Sequence, residues 1–570
     1  MKRYGYQDQN TNTESNPLAV WIWGHRLRTG QHWMEYLLEF LGILAGFGYE
    51  LGQGINEGVD LPSLKLEYIR FTRLGLRRFV FYDEKEKTRH PFDDQAYKLL
   101  QEGLKERIIA TGDNEQDALK QLRTLFRAYS AVEDQRSWYA KSLFPAHENF
   151  LLWEALRKGA TKIKYPGPLI QTYASPLELD NNIVFDARNF FARGGEIYYL
   201  LLSAGTQNSP EQRYRITERL KELLTVSNRA LGRVAEIVDD AWQSLASGDS
   251  EGKDNGSSNK KGRLGWIPDP ECPLYQDLAA NLDTFLQSNL DCLETLHLLA
   301  HLICFHLALY IYHRAHPNAT SECHTNQTCG EVCHLTLLVD VLEGGNEKQI
   351  RNVSATLFQE QEARIVKKGR EYVQQQVQNW VREFGDDTAA LQMEAFPYFN
   401  LKSLFRQIPQ AFELKVRNLQ AQLRSGKVTL EAFIEGYAEA LTDILIEDFR
   451  KNFLGVHTKL TKGVGFVAPR KGTAARFVLG DNLLKALVLA NTPVRGQMTF
   501  DGFLGQLYKN YGLVIGPEEA NLAGLFDRHR INADYYNRNR LALLDKMKYA
   551  GLVIEYSDAT AMIANTVRGF

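Results

Sequence analysis

The hydrophobic positions of this chain repeat mostly with the period of an α-helix. Residues 32–47 read as a buried helix, and a long apolar-rich helical stretch covers 274–313. Residues 356–384 place one apolar stripe at near-heptad spacing, formed by Phe358, Ile365, Tyr372, Val373 and Trp380. A shorter run at 76–82 resembles a strand. The pattern therefore predicts a mainly α, multidomain protein, with helical N-terminal and central regions and a few strands.

The clearest interruption of this pattern is the segment 247–263 (SGDSEGKDNGSSNKKGR), which has no large apolar residue. Such a segment cannot offset the entropy of ordering by burial, so we expect a flexible linker or loop. It separates a mostly helical N-terminal domain with minor β structure (1–246) from a helical domain (264–450). The chain changes character again at 451–570.

The segment 451–570 predicts a C-terminal winged-helix module of the α+β class. Helical patterns cover 480–491, 499–511 and 532–550, with Thr499 as an N-cap and Gly551 as the stop of the third helix. Two β-prone segments follow, 552–556 and 561–567. Three helices followed by two strands is the order of a winged helix.

Charge gives this module a candidate partner. The whole chain has a net charge of -2, but 451–570 holds 16 Lys/Arg against 9 Asp/Glu and is therefore +7. In a helix-turn-helix the second helix enters the major groove of DNA, and phosphate contacts give affinity that weakens with salt. The candidate DNA-binding residues are Arg538, Arg540, Lys546, Lys548, Arg528, Arg530, Lys462, Arg470 and Lys471. We expect non-specific or weakly specific binding; winged helices also serve as protein-interaction modules.

Histidine and cysteine are concentrated in 297–334, which holds seven of the thirteen histidines and four of the six cysteines. Thiolate and imidazole are the ligands of structural zinc. If a metal binds, the expected ligands are Cys323, Cys329, Cys333 and His334. The alternative is a helical core with buried cysteines and a loop with solvated histidines.

A glycine pair offers a second polar candidate. Successive backbone N–H groups at Gly194 and Gly195, flanked by Arg188 and Arg193, could hold an anion or a nucleic-acid backbone. The alternative is a turn that begins a helix, with Glu196 favouring its N-terminus.

Motifs of common enzymes are missing from the sequence. It contains no GxxxxGK[ST], GxGxxG, GxSxG or HExxH pattern, so no catalytic residue is predicted. The first 16 residues are polar, and no run of about 18 uncharged apolar residues occurs. We therefore expect a cytoplasmic protein with reduced cysteines and no contact with a membrane.

Three segments carry a resemblance to a known group of proteins. These are WIWGHRLRTGQHWMEYLLEFL, RSWYAKSLFP and RNFFARGGEIYYLLL, all within about the first 200 residues. Together they resemble a large component of bacterial antiphage defence islands, in particular the accessory proteins of methylation-associated defence systems. The resemblance implies a cytoplasmic location, work on DNA, and partners such as ATPase or methyltransferase subunits. It assigns no functional residue.

The sequence thus favours a non-catalytic subunit that binds DNA and partner proteins in a bacterial antiphage complex. A second hypothesis is a pure protein-interaction scaffold without nucleic-acid contact, in which the stripe from Phe358 to Trp380 is an interface. A third is a metal-dependent enzyme that acts on nucleic acid through the His/Cys cluster.

Overall fold

The structure, a computed structural model, describes residues 22–24, 32–46, 50–52, 63–64, 74–82, 91–105, 107–108, 115–132, 142–151, 194–246, 265–267, 271–316, 335–342, 348–384, 410–468, 474–493, 496–556 and 561–565. Within these ranges the protein is mainly helical and its strands are short, which confirms the predicted α class. The predicted linker 247–263 lies outside the described residues.

The described residues form helices α1 (Trp33–Leu41), α2 (Leu74–Phe81), α3 (Pro91–Lys105), α4 (Glu115–Arg127), α5 (Gly194–Gly205), α6 (Pro210–Thr225), α7 (Arg229–Ala246), α8 (Pro273–Leu286), α9 (Cys292–Ala315), α10 (Lys348–Phe384), α11 (Gln410–Arg424), α12 (Leu430–Phe449), α13 (Gly455–Gly463), α14 (Asp481–Asn491), α15 (Phe500–Tyr511), α16 (Pro517–Leu522), α17 (Leu525–His529) and α18 (Ala533–Tyr549). Two π-helical turns, Gly42–Gly46 and Arg450–Leu454, continue α1 and α12.

The strands in these ranges are β1 (Ser63–Leu64), β2 (Ser130–Val132), β3 (Ser142–Leu143), β4 (Gly265–Trp266), β5 (Leu337–Leu338), β6 (Val467–Ala468), β7 (Arg476–Phe477), β8 (Gln497–Thr499), β9 (Leu513–Val514), β10 (Val553–Glu555) and β11 (Ala561–Ala564). Four sheets have two strands each, and one has three.

The chain divides into two compact units that alternate along the sequence. The first, here the N-terminal unit, comprises 31–266, 278–303 and 566–570. The second, here the C-terminal unit, comprises 1–30, 267–277 and 304–565. Helices α8 and α9 each contribute residues to both units.

The N-terminal unit is built around α7, which packs against α2 and α3. Its core includes Leu76, Phe79 and Val80, all inaccessible to solvent. These three lie at helical spacing, and the N–H of Leu76 donates to the buried carboxylate of Asp239 at 2.8 Å. The strand expected at 76–82 is therefore wrong: apolar positions at i, i+3 and i+4 bury one helix face, and a short apolar run does not separate the two structures by itself.

In the C-terminal unit, the apolar stripe of α10 forms core and not a free interface. Phe358, Ile365 and Val373 are buried, and the ring of Phe358 lies 5.4 Å from that of Phe477. The side chain of Trp380 is outside the described residues. These buried residues cannot form the interface that the scaffold hypothesis places on the stripe.

The elements at the end of the C-terminal unit follow the predicted order. Helices α14, α15 and α18 occupy the three predicted segments, with Thr499 as the N-cap of α15 and Gly551 at φ 68° after α18. Strand β11 lies between β10 and β8, and both pairs are antiparallel. The sequence did not predict β8, α16, α17 or the parallel pair of β9 with β5.

Among the helices of the described residues, α9 is long and apolar enough to span a membrane by length and composition. Its most apolar window is 83% buried inside the protein. Burial of this degree is typical of the core helix of a soluble protein, which passes the same test.

Candidate nucleic-acid interface

Helix α18, the predicted recognition helix, is fixed to the C-terminal unit along one face. Tyr536, Asn539, Leu543 and Met547 are buried, at spacings of three or four residues. The Asn539 amide donates to the carbonyls of Val339 and Ile515 at 2.8 and 3.0 Å. Its oxygen accepts from the N–H of Val341 at 2.9 Å. Asn539 therefore joins α18 to the segments that carry β5 and β9.

The opposite face of α18 is exposed at its N-terminal half. Asn537 and Arg538 are exposed, and the guanidinium of Arg538 lies 5.7 Å from the centre of the Tyr535 ring. Asn532 caps the helix by accepting from the N–H of Asp534. Asn537 and Arg538 are therefore accessible to a large external partner.

Further along α18, two predicted cations bind carboxylates of neighbouring helices. Arg540 Nε donates to Asp501 Oδ1 at 2.7 Å. Lys546 Nζ donates to the carbonyl of Leu479 at 2.6 Å and lies 3.1 Å from Asp481 Oδ1. Both carboxylates are in the first turn of their helices, where a negative charge is favourable.

Two more of the predicted cations are paired. Lys548 Nζ lies 2.5 Å from Glu555 Oε1, and this hydrogen bond raises the pKa of Lys548. Arg528 Nη2 donates to both carboxylate oxygens of Glu360 at 2.8 Å. Exposed pairs of this kind contribute little to stability because water and salt screen them. They position the cations without preventing an exchange of the carboxylate for a phosphate.

Arg530 differs from the other candidates because of its backbone. It lies at φ 51° and ψ 38°, in the left-handed region, and is exposed. It is the residue with positive φ other than glycine among the described residues. Lys462 is half-buried on α13, while Arg470 and Lys471 lie outside the described residues.

The glycine pair of the predicted anion site begins α5. Gly194 and Gly195 are buried, and the N–H of Gly195 donates to Glu39 Oε2 at 2.6 Å. A Cβ atom at Gly195 would lie 2.5 Å from the backbone nitrogen of Phe40, so glycine permits the close approach of α1. The structure thus gives this donor to an internal carboxylate, in keeping with the helix-start alternative. Arg188 and Arg193 are outside the described residues.

The predicted zinc ligands Cys323, Cys329, Cys333 and His334 are also outside the described residues. Across the described ranges, no group of three or more His, Cys, Asp or Glu side chains could hold a metal. Burial raises the pKa of Cys292 to about 11 and that of Cys304 well above its ordinary value. Since metal binding and nucleophilic attack both need the thiolate, neither thiol is suited to such chemistry.

Two histidines of the C-terminal unit are buried and uncharged. Burial lowers the pKa of His306 to about 3 and that of His457 to about 4. His457 Nε2 lies 2.8 Å from the hydroxyl of Tyr312, and its ring stacks on Phe358 at 6.2 Å. Both histidines are therefore part of the packed core and not of a titrating polar site.

Sequence reasoning missed residues that the fold brings to the interface from a distance. Glu360 and Arg364 belong to α10, more than 150 positions before Arg528. No local pattern links these positions. His529 was detectable, because it stands between two predicted cations in the run Arg528-His529-Arg530.

Comparison of the chain with protein-family models, with curated proteins and with solved structures finds no match.

Proposed function

We propose that this protein is a non-catalytic subunit that binds DNA through α18 and the cations around it, and that also binds partner proteins. The observation that carries the proposal is the order of elements in 481–564: α14, β8 and α15, then, after the short elements β9, α16 and α17, α18, β10 and β11, with β11 between β10 and β8. A winged helix has this order, with the helix before the strand pair as its DNA-reading element.

The exposed side chains of α18 suit this role. Asn537 and Arg538 stand at the N-terminal half of the helix, which is the part that reaches base edges in a helix-turn-helix. Arg528 and Arg530 precede the helix, and Arg540 and Lys546 follow on it. Because four of the cations have carboxylate partners that compete with phosphate, we expect moderate affinity, with a salt dependence set by the number of phosphates contacted.

The test is fluorescence anisotropy with a labelled duplex, over a series of salt concentrations. The variant Arg538→Gln/Arg540→Gln is expected to bind about tenfold more weakly and to reduce the salt slope by about one to two. Arg424→Gln/Lys427→Gln is the matched control, since both of its residues are exposed near the turn that follows α11 and it removes the same charge. Equal loss in the two variants would contradict the proposal.

A reciprocal variant makes the test sharper. Asp501→Asn removes the carboxylate that binds Arg540, so it releases a cation to the duplex. We expect Asp501→Asn to tighten binding about threefold, because one more phosphate is neutralised. A gain of affinity cannot result from misfolding.

A second candidate, a protein-interaction scaffold, is favoured by a different observation. Tyr549 at the end of α18 is 94% exposed, and Leu541 on the same helix is 44% exposed. Exposed apolar side chains are available for contact with a partner protein. If a partner protein binds here, Leu541→Ser/Tyr549→Ser abolishes co-purification of the partner and leaves the affinity for the duplex unchanged.

The antiphage setting is part of the proposal and rests on the N-terminal resemblance alone. In that setting the expected partners are ATPase or methyltransferase subunits. Structural zinc in 323–334 also remains a proposal, which elemental analysis of the purified protein tests directly.

A further inference from the structure

We propose that the C-terminal unit binds one phosphate group between α10 and α17, at a cluster formed by Arg364, Arg528 and His529 beside Glu360. The source of the phosphate is inferred to be a DNA backbone, and in this respect the inference rests on the proposed function. Binding of the phosphate group itself does not depend on it.

The contact of Arg528 with Glu360 defines the position of the cluster. Arg528 Nη2 lies 2.8 Å from both oxygens of Glu360, so the end of α17 is held against the middle of α10. Arg364 is four residues after Glu360, on the same face of α10 and roughly 6 Å further along its axis. Two guanidinium groups therefore stand near one carboxylate.

The charges of the cluster do not balance. Two arginines against one glutamate leave a net positive charge, and Arg364 is half-buried. Burial lowers the pKa of Arg364; Glu360 opposes this effect and the charge of Arg528 adds to it. His316, after the end of α9, also lies within range of the Arg364 charge. An incoming anion would relieve this excess of positive charge.

His529 supplies a polar group without a partner. Its Nε2 atom is shielded from solvent and makes no hydrogen bond. A buried polar atom that lacks a partner is unfavourable, so a ligand that offers a hydrogen-bond partner to His529 would be stabilised there. An imidazole N–H can donate to a phosphate oxygen, as the guanidinium groups do.

Phosphate fits this site better than a second carboxylate does. Arginine binds phosphate through two parallel hydrogen bonds, and phosphate has enough oxygens to bridge two arginines. Two further exposed arginines, Arg530 and Arg538, follow Arg528 closely in sequence, and Arg538 lies on α18. This concentration of cations near the predicted DNA-reading helix favours a DNA backbone as the source.

The first experiment measures thermal unfolding of the full chain in sodium phosphate and in sodium chloride of equal ionic strength. We expect phosphate to raise the Tm of the wild type and of Arg424→Gln, a control that removes an exposed arginine at the end of α11. Arg364→Gln is expected to lose the rise, and Glu360→Gln to enlarge it because both arginines are released. No rise in the wild type, or an equal rise in all four proteins, would overturn the proposal.

The second experiment identifies the source by titrating a labelled duplex against the same proteins. A DNA source predicts that Arg364→Gln weakens binding about three- to tenfold and lowers the salt slope by about 0.9, while Arg424→Gln does neither. If Arg364→Gln loses the phosphate effect and keeps its affinity for the duplex, the DNA source is wrong and the proposed function stands. If no protein binds the duplex while the phosphate effect persists, the proposed function fails and the phosphate site stands.

Discussion

At the scale of single residues, Asn539 shows how a polar side chain in the core fixes the candidate interface. Its amide satisfies two carbonyls and one N–H that belong to two separate segments of the chain. A buried group that loses its partner retains the full penalty of its lost hydration. The position of α18 therefore depends on a residue that no external partner can contact.

The variant Asn539→Ala is expected to lower the free energy of unfolding by about 2–4 kcal/mol, because it leaves buried backbone groups without partners. Urea unfolding measures the change. The control, Asn537→Ala, alters an exposed amide two residues earlier and should change stability by less than about 0.5 kcal/mol. A similar, small loss in both variants would show that the hydrogen bonds of Asn539 contribute little.

Arg530, unlike Asn539, is exposed, and its backbone has a left-handed conformation that glycine adopts more easily. Its left-handed backbone is unfavourable for an L-residue by roughly 1–2 kcal/mol. We expect Arg530→Gly to be more stable than Arg530→Ala by about 1 kcal/mol, since alanine keeps the strain and glycine removes it. The two variants remove the same charge, so they should weaken binding of a duplex equally. Chemical denaturation and anisotropy on the same samples separate strain from charge.

At the scale of elements, α13 carries a buried histidine that makes the stability of the C-terminal unit depend on pH. His457 on this helix has a pKa of about 4 in the folded state, against an ordinary value of 6.5. Between these values the unfolded chain binds a proton that the folded chain does not. The free energy of unfolding therefore does not depend on this histidine's protonation above pH 6.5. As the pH falls from 6.5 toward 4, protonation of the unfolded chain lowers the free energy of unfolding by up to about 1.4 kcal/mol per pH unit.

The variant His457→Gln should be less stable than the wild type at pH 7.5, because it loses the stacking on Phe358 and the contact with Tyr312. The difference should shrink by about 1–2 kcal/mol between pH 7.5 and pH 5, since the variant lacks the titration. Tyr312→Phe is the control: it removes the hydroxyl and keeps the imidazole. Parallel curves for wild type and His457→Gln over this range would refute the assignment.

Local patterns were sufficient to predict elements that depend on local signals. Helix α18 starts at an Asn cap, ends before a glycine and carries its apolar residues at helical spacing, and all three signals are visible in the sequence. By contrast, β5 and β9 have two residues each and pair across 176 positions, so neither has a local signature. The helix at 74–81 was mistaken for a strand because eight apolar and basic residues allow both structures.

The candidate interface was predictable in its residue types and not in its pairings. The excess of Lys and Arg after residue 451 is a property of composition. That Arg528 binds Glu360 follows only from the packing of α17 on α10, and that Lys546 binds Asp481 follows only from the packing of α18 on α14. Tertiary contacts between distant elements decide which cations remain available.

At the scale of the whole molecule, the basic segment 451–570 is not separable from what precedes it. Asp340 is 1% exposed and binds the buried Arg476 at 2.6 Å, while Asn539 and β9 bind the segment around β5. Removing one partner of a buried ion pair is unfavourable by about 3–5 kcal/mol. We therefore expect the segment 451–570 to depend on the segment around β5 for its stability.

We expect the fragment 451–570 to lack a cooperative thermal transition, because it leaves Arg476, Asn539 and β9 without their partners. The fragment 304–570, which keeps β5 and α10, should unfold cooperatively. Circular dichroism in the near and far ultraviolet distinguishes the two. A sharp transition in the shorter fragment would show that the contacts with 335–342 are dispensable.

The pairing of β5 with β9 also affects the order of events on the ribosome. At about 5–20 residues per second, synthesis of the intervening chain takes roughly 10–35 s. During that interval the nascent segment around Asp340 has emerged while its hydrogen-bonding partners do not yet exist. A pause in translation before residue 513 would prolong this exposure, so codon choice in this stretch should alter the yield of folded protein.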